Sequence, residues 1–137
     1  MNVTQIPFAK HIGISKNSKG QLVLAPRHEL ENHIKSIHAS AQFTLAETKS
    51  GDFMQEAFPE YVGKVVGLLR DVSVKYKGPA ISRLTAYAHI EEESKIKFVT
   101  QLENKGRAGL TVHVELKDEE NNMTMIGEFH WFVQKLD

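Results

Sequence analysis

Apolar and polar positions alternate most clearly in the second half of the chain. Val72, Val74 and Tyr76 alternate at the end of a stretch rich in β-branched and aromatic residues, which predicts a long strand over 62–76. Leu84, Ala86, Ala88 and Ile90 repeat the pattern and predict a second strand over 81–90, separated from the first by Lys77-Gly78-Pro79-Ala80. Two further strands are expected, from Arg107 or Ala108 to Leu116 and from Met123 to Val133, joined by the surface-turn composition Asp118-Glu119-Glu120-Asn121-Asn122. In the last strand Phe129, Trp131 and Val133 alternate as core or interface residues. Together these strands would form one antiparallel meander. Upstream, Ser15 to Gly20 reads as a polar turn between two strand-like pieces, the second being Gln21 to Pro26.

The helical period governs the rest. Pro7 at a first position and Gly13 as a stop predict a short helix or turn in the opening segment. After a polar loop over 27–37, the good helix formers Ala39, Ala41, Leu45 and Ala46 predict a central helix from near His38, with Ser36 as a cap. It is expected to end near Met54, weakened by Ser50-Gly51, and Pro59 forces a turn or a short second helix after it. At about 100° per residue, Ala39, Ser40, Phe43, Ala46, Glu47 and Met54 share one broad face, while Ala41 and Leu45 lie opposite. A helix apolar on two sides is expected to be buried. For 91–104, Ile96, Phe98 and Thr100 would suit a strand, but acidic residues in a first turn and Gly106 as a stop favour a helix.

Composition narrows the chemistry. A length of 137 residues suits one domain. Seventeen basic and seventeen acidic side chains balance, so charge gives no reason to expect nucleic acid or an anionic membrane surface as a partner. The absence of cysteine removes disulfides, thiol nucleophiles and cysteine-based zinc sites, and makes the cytoplasm the expected compartment. No apolar run reaches membrane-spanning length, and no targeting leader is evident. Seven histidines raise the question of a metal, and His28, His33 and His38 recur every five residues. That spacing converges on neither a helix nor a strand, so no metal site is expected. No glycine-rich phosphate loop of recognised spacing is present.

Glu47 is the candidate for catalysis. On the rim of the helix it would be an ordinary solvated charge. Between Phe43 and Met54, desolvation would raise its pKa toward the range where a carboxyl group works as a general base or nucleophile near neutral pH. The helix start at His38-Ala39 would offer free N–H groups to a developing oxyanion.

Asn32, His38 six residues on, two small residues, and an acidic residue nine after that histidine resemble the site of the hotdog-fold acyl-CoA thioesterases. In that superfamily the usual form is His-Gly-Gly followed by Asp or Glu. The Glu47 version looks like the branch typified by 4-hydroxybenzoyl-CoA thioesterase, and Asn-His-Ile-x-x-x-His-Ala is similar to an uncharacterised branch. Tyr76 with Pro79-Ala80 also resembles a turn of these proteins. The chain departs from the pattern at Ala39 and Ser40, where a Cβ narrows the approach of substrate to the backbone.

The resemblance implies an α+β hotdog fold, a long central helix wrapped by an antiparallel sheet of five to six strands. It implies acyl-CoA as substrate, with coenzyme A entering only as part of it and no separate cofactor. It casts Glu47 as base or nucleophile, the Ala39 amide as the group polarising the carbonyl, His38 as its support and Asn32 as the residue orienting thioester or water. Ser40 and Phe43 would border the substrate, and Lys77, Lys105 and Arg107 are candidates for the coenzyme phosphates. A non-catalytic acyl-binding or structural module remains the alternative, with a hotdog hydratase less favoured. Eight residues of helix separate Ala39 from Glu47 by roughly 12 Å, so one helix cannot bring both to one carbonyl. A homodimer or dimer of dimers with antiparallel central helices is therefore expected.

Overall fold

The computed structural model describes residues 1–137. Helices α1 (Pro7–Ile12), α2 (Ala39–Ala57) and α3 (Glu92–Lys105) accompany six strands: β1 (Ser15–Lys16), β2 (Leu22–Leu24), β3 (Val65–Tyr76), β4 (Leu84–His89), β5 (Arg107–Lys117) and β6 (Met123–Lys135). They form one sheet in the order β1-β2-β4-β5-β6-β3, with every pairing antiparallel. The expected meander holds only for β4-β5-β6. β3 crosses to the far side of β6 and becomes an edge, because α2 separates it from β2 and its long partner is the thirteen-residue β6.

Alternation places Ala108, Leu110, Val112, Val114 and Leu116 of β5 inward, where they are buried. Leu45 and Ala46 of α2, fully buried, pack in the same core with Leu84, Met125 and Phe129. The ambiguous segment at 91–104 is helical: α3 buries Phe98 and Leu102, and Gly106 ends it in the left-handed conformation at φ 73°. Phe98 packs against Phe58, just past the end of α2, with tilted rings and centroids 4.7 Å apart.

Several boundaries move. α2 runs to Ala57, past the expected stop near Met54, because Ser50 and Gly51 are held against the sheet by Trp131. Its cap is His38, whose Nδ1 accepts from the Ser40 N–H at 3.0 Å; Ser36 instead accepts from the Asn32 side chain inside the loop. The expected all-round burial of the helix does not hold within one chain. Ala39 and Ser40 are exposed, and Phe43, Glu47 and Met54 are half-buried, whereas the polar Gln42, Lys49 and Asp52 on another side are buried. Asp52 lies 3.5 Å from Lys16 of β1, so part of that face meets the opening segment of the chain. β3 starts at Val65 rather than 62, after Gly63 turns with φ 80°.

Candidate active site

The start of α2 is fixed from three sides. The His38 N–H donates to the Leu30 carbonyl at 2.7 Å, the Ile37 N–H to the Ala80 carbonyl at 2.7 Å, and the Tyr76 hydroxyl to the Ala39 carbonyl at 3.0 Å. Tyr76 and Ala80 thus anchor the helix start through the turn that follows β3. In the first turn the amides of Ser40, Ala41 and Gln42 all find acceptors on His38. The Ala39 N–H makes no hydrogen bond within the chain and is exposed, so it is a free donor at the positive end of a nineteen-residue helix. Neither Ala39 nor Ser40 needs a positive φ, so the absence of glycine there brings no backbone strain.

Glu47 lies two turns along the same helix. Its carboxylate is half-buried and has neither a hydrogen bond nor a basic partner, and burial raises its pKa above the usual carboxylate value. Phe43, one turn earlier, packs on Phe129 with centroids 5.6 Å apart and orders this stripe of the helix. Ser50 donates to the Glu47 carbonyl at 2.7 Å and receives the Trp131 indole N–H at 3.0 Å.

One turn beyond Glu47, at Gly51 and Met54, an apolar cavity of about 460 Å³ opens. Val3, Ile6, Met54, Phe58, Phe98 and Trp131 are among the apolar side chains that line it. Trp131 comes close to both Gly51 and Gly67: a Cβ would meet its ring at 3.7 Å on the helix and at 3.5 Å on β3. Beside the cavity Tyr61 donates its hydroxyl to Glu103, a bond that with burial pushes the phenol up to about 12. The same bond, with Lys135 at 3.2 Å, holds the Glu103 carboxyl below its usual value.

Asn32 is engaged in its own loop. Its Oδ1 accepts from the amides of Ile34 and Ser36, both at 3.0 Å, and its Nδ2 donates to the Ser36 hydroxyl at 2.8 Å. Both carbonyl lone pairs are taken and one amide hydrogen is left. The three basic candidates do not converge within a chain. Lys77 follows Tyr76, which is registered through Met125 to Leu116, while Arg107 pairs with Gln134 at the other end of β6. Nine residues of strand, roughly 30 Å, lie between those ends, and Lys105 shares the Arg107 end. Sequence reasoning missed Trp131 as a cavity wall and Ser50 as its link to the helix. Only the alternation of Phe129, Trp131 and Val133 hinted at it.

The family model described as a domain of unknown function, DUF4442, matches residues 8–133. The chain belongs to that family. No curated protein matches this DUF4442 member in sequence. Among solved structures, a protein of unknown function from Pseudomonas aeruginosa, described as a probable thioesterase, superposes with a TM-score of 0.82 at 20% identity, over 98% of this chain and 91% of its own. A Haemophilus influenzae thioesterase gives 0.72 at 17% identity, over 98% and 87%. A Bacillus halodurans protein solved with CoA gives 0.70 at 17%, over 92% and 74%. At these identities the likeness establishes the fold, and this DUF4442 chain has the α+β hotdog architecture. No helix is long and apolar enough to cross a membrane.

Proposed function

We propose that the protein is an acyl-CoA thioesterase whose sites are completed between two copies of the chain. The observation that carries this reading is the unpaired, half-buried Glu47 one helical turn from Gly51, where an apolar cavity begins, on a helix whose first amide is free. The names of the structural neighbours, including the one solved with CoA, support it. The acyl chain enters the cavity and the thioester carbonyl lies at the mouth. Glu47 takes a proton from water, the hydroxide forms the new C–O bond, and the carbonyl oxygen becomes an oxyanion that accepts from the Ala39 N–H. Collapse breaks the C–S bond, and the proton on Glu47 returns to the departing thiolate. Direct attack by Glu47, through an anhydride that water then opens, uses the same groups. Asn32 contributes its one remaining amide hydrogen to substrate, and His38 holds the helix start that presents the amide.

Ala39 and Glu47 are too far apart on one helix to serve one carbonyl, so a second copy supplies one of them. β3 is the surface for that copy. It is a twelve-residue edge strand with Val66 and Leu68 exposed, the kind of edge that pairs unless it is covered. Across such a dimer, Lys77 of one chain and Lys105 or Arg107 of the other can reach a common coenzyme. The cavity's mainly apolar lining favours an aliphatic acyl group.

Ala39-Ser40, in place of two glycines, favours a second reading, an acyl-binding module without turnover. Release of free thiol from a panel of aliphatic and aromatic acyl-CoAs separates the two. Hydrolysis lost in Glu47→Gln supports the thioesterase; binding of acyl-CoA with no thiol release supports the module.

A further inference from the structure

On the opposite side of the sheet from α2, the register of three strands gathers side chains that are far apart in the sequence. β4 and β5 place His89 directly across from His113, and β5 and β6 place His113 across from Glu128. All three project from the outer face, since the alternate positions Ala88, Val112, Val114 and Phe129 point toward the core. The two imidazoles stack with centroids 4.7 Å apart and planes 11° from parallel. Past β4 the chain turns at the buried Ile90, and Glu91 becomes the N-cap residue of α3. Its side chain makes no capping bond there. Instead Glu91 Oε1 reaches back to within 3.6 Å of His89 Nε2.

We propose that His89, Glu91 and His113 form a binding site for a divalent transition-metal ion, with Glu128 supporting His113 from behind. The ligand atoms of the three residues all lie within 4.8 Å of one another. A tetrahedral ion with bonds of about 2.0–2.1 Å spaces its ligands roughly 3.4 Å apart. The His89–Glu91 pair, at 3.6 Å, is already near that spacing; to complete the set the stacked imidazoles must turn their nitrogens toward one point and close by up to about 1.4 Å. His89 and Glu91 have side chains 61% and 65% exposed, so both can change rotamer without displacing buried neighbours. His113 Nδ1 lies 3.8 Å from Glu128 Oε1, so a small approach would set a carboxylate behind the ring and leave Nε2 for the ion. The other Glu128 oxygen is 3.9 Å from His130 Nε2, and His130 Nδ1 lies 2.7 Å from the Thr111 hydroxyl. That arrangement orients the supporting carboxylate.

Two imidazoles and one carboxylate, with the fourth position left to water, suit zinc rather than magnesium or calcium, which prefer all-oxygen sets. Binding would tie the end of β4 and the first turn of α3 to β5. α3 carries Phe98, part of the cavity wall, so the ion would brace that wall from the far side of the sheet. The evenly spaced His28, His33 and His38 do not gather into such a group. The site stands independently of the thioesterase reading.

Titration of the full chain with zinc chloride, followed by isothermal calorimetry near pH 7.5, tests it. One ion per chain is expected, together with a higher thermal midpoint. His89→Asn and His113→Asn should each abolish both signals, and Glu128→Gln should weaken binding by about 10- to 100-fold. Glu47→Gln should bind zinc like the wild type. If His113→Asn fails to fold, the exposed His89→Asn carries the test alone. Absence of binding at micromolar zinc, or binding unchanged in His89→Asn, overturns the proposal.

Discussion

Trp131 and Ser50 join the last strand to the central helix through one hydrogen bond, indole to hydroxyl, at 3.0 Å. Ser50 is fully buried and its hydroxyl donates to the Glu47 carbonyl at 2.7 Å, so one hydroxyl links the cavity wall to the helix turn that bears Glu47. Ser50→Ala leaves the indole N–H without that acceptor in a largely apolar setting. A loss of about 1–3 kcal/mol is expected in urea denaturation. A change under 0.5 kcal/mol, taken as about the surface-substitution range, would mean that water replaces the hydroxyl.

Gly51 sits in mid-helix, where glycine costs roughly 0.5–1 kcal/mol relative to alanine. A Cβ there would meet the Trp131 ring at an ordinary 3.7 Å. Gly51→Ala should therefore raise stability by up to about 1 kcal/mol, while the methyl group intrudes on the cavity. Longer acyl-CoAs should lose more activity than short ones, seen as a shift of kcat/KM along a chain-length series.

Glu47→Gln should lower turnover by about 10²- to 10⁴-fold, since the amide neither accepts a proton nor attacks. Its effect on stability depends on pH. Burial raises the Glu47 pKa in the fold, so the carboxyl's contribution is most favourable below the ordinary value of 4.5 and is lost as pH rises through the raised value. Glu47→Gln should match the wild type at acidic pH and melt above it at pH 7 to 8. A variant melting far lower at neutral pH would show that the carboxylate has a partner in solution.

Asn32→Asp keeps both acceptors for the Ile34 and Ser36 amides and removes the donor. Thermal stability should change little while acyl-CoA turnover falls. Equal activity with equal stability would assign Asn32 to the loop alone.

Sharing of the site between copies gives a complementation test. Ala39→Pro removes the free N–H at the first helical position, where proline fits, and His38 before it already has the extended φ −58°, ψ 142° that proline requires. Homodimers of Ala39→Pro and of Glu47→Gln should both be nearly inactive. Mixed after reversible unfolding at equal amounts, they should recover about a quarter of wild-type activity, because half the dimers are mixed and each has one intact site. No recovery, or a monomeric mass in light scattering, would refute the two-copy site.

The sequence by itself determined the elements whose signals are local. Alternation at Leu84–Ala88 and along β5 and β6 set the strands, and the small helix formers after His38 set α2, because backbone sterics and side-chain period act within a few residues. The spacing of Asn32, His38 and Glu47 marked the candidate site only through its resemblance to the hotdog-fold thioesterases. What the tertiary structure decided depends on register and crossing. It placed β3 beyond β6, kept α2 helical through Ser50-Gly51 by docking Trp131 there, and bonded Asn32 within its own loop. It also set His89 opposite His113 although 24 positions separate them in the chain. No local periodicity encodes which strand lies beside which; that follows from how the apolar faces share one core, and it decides which side chains meet.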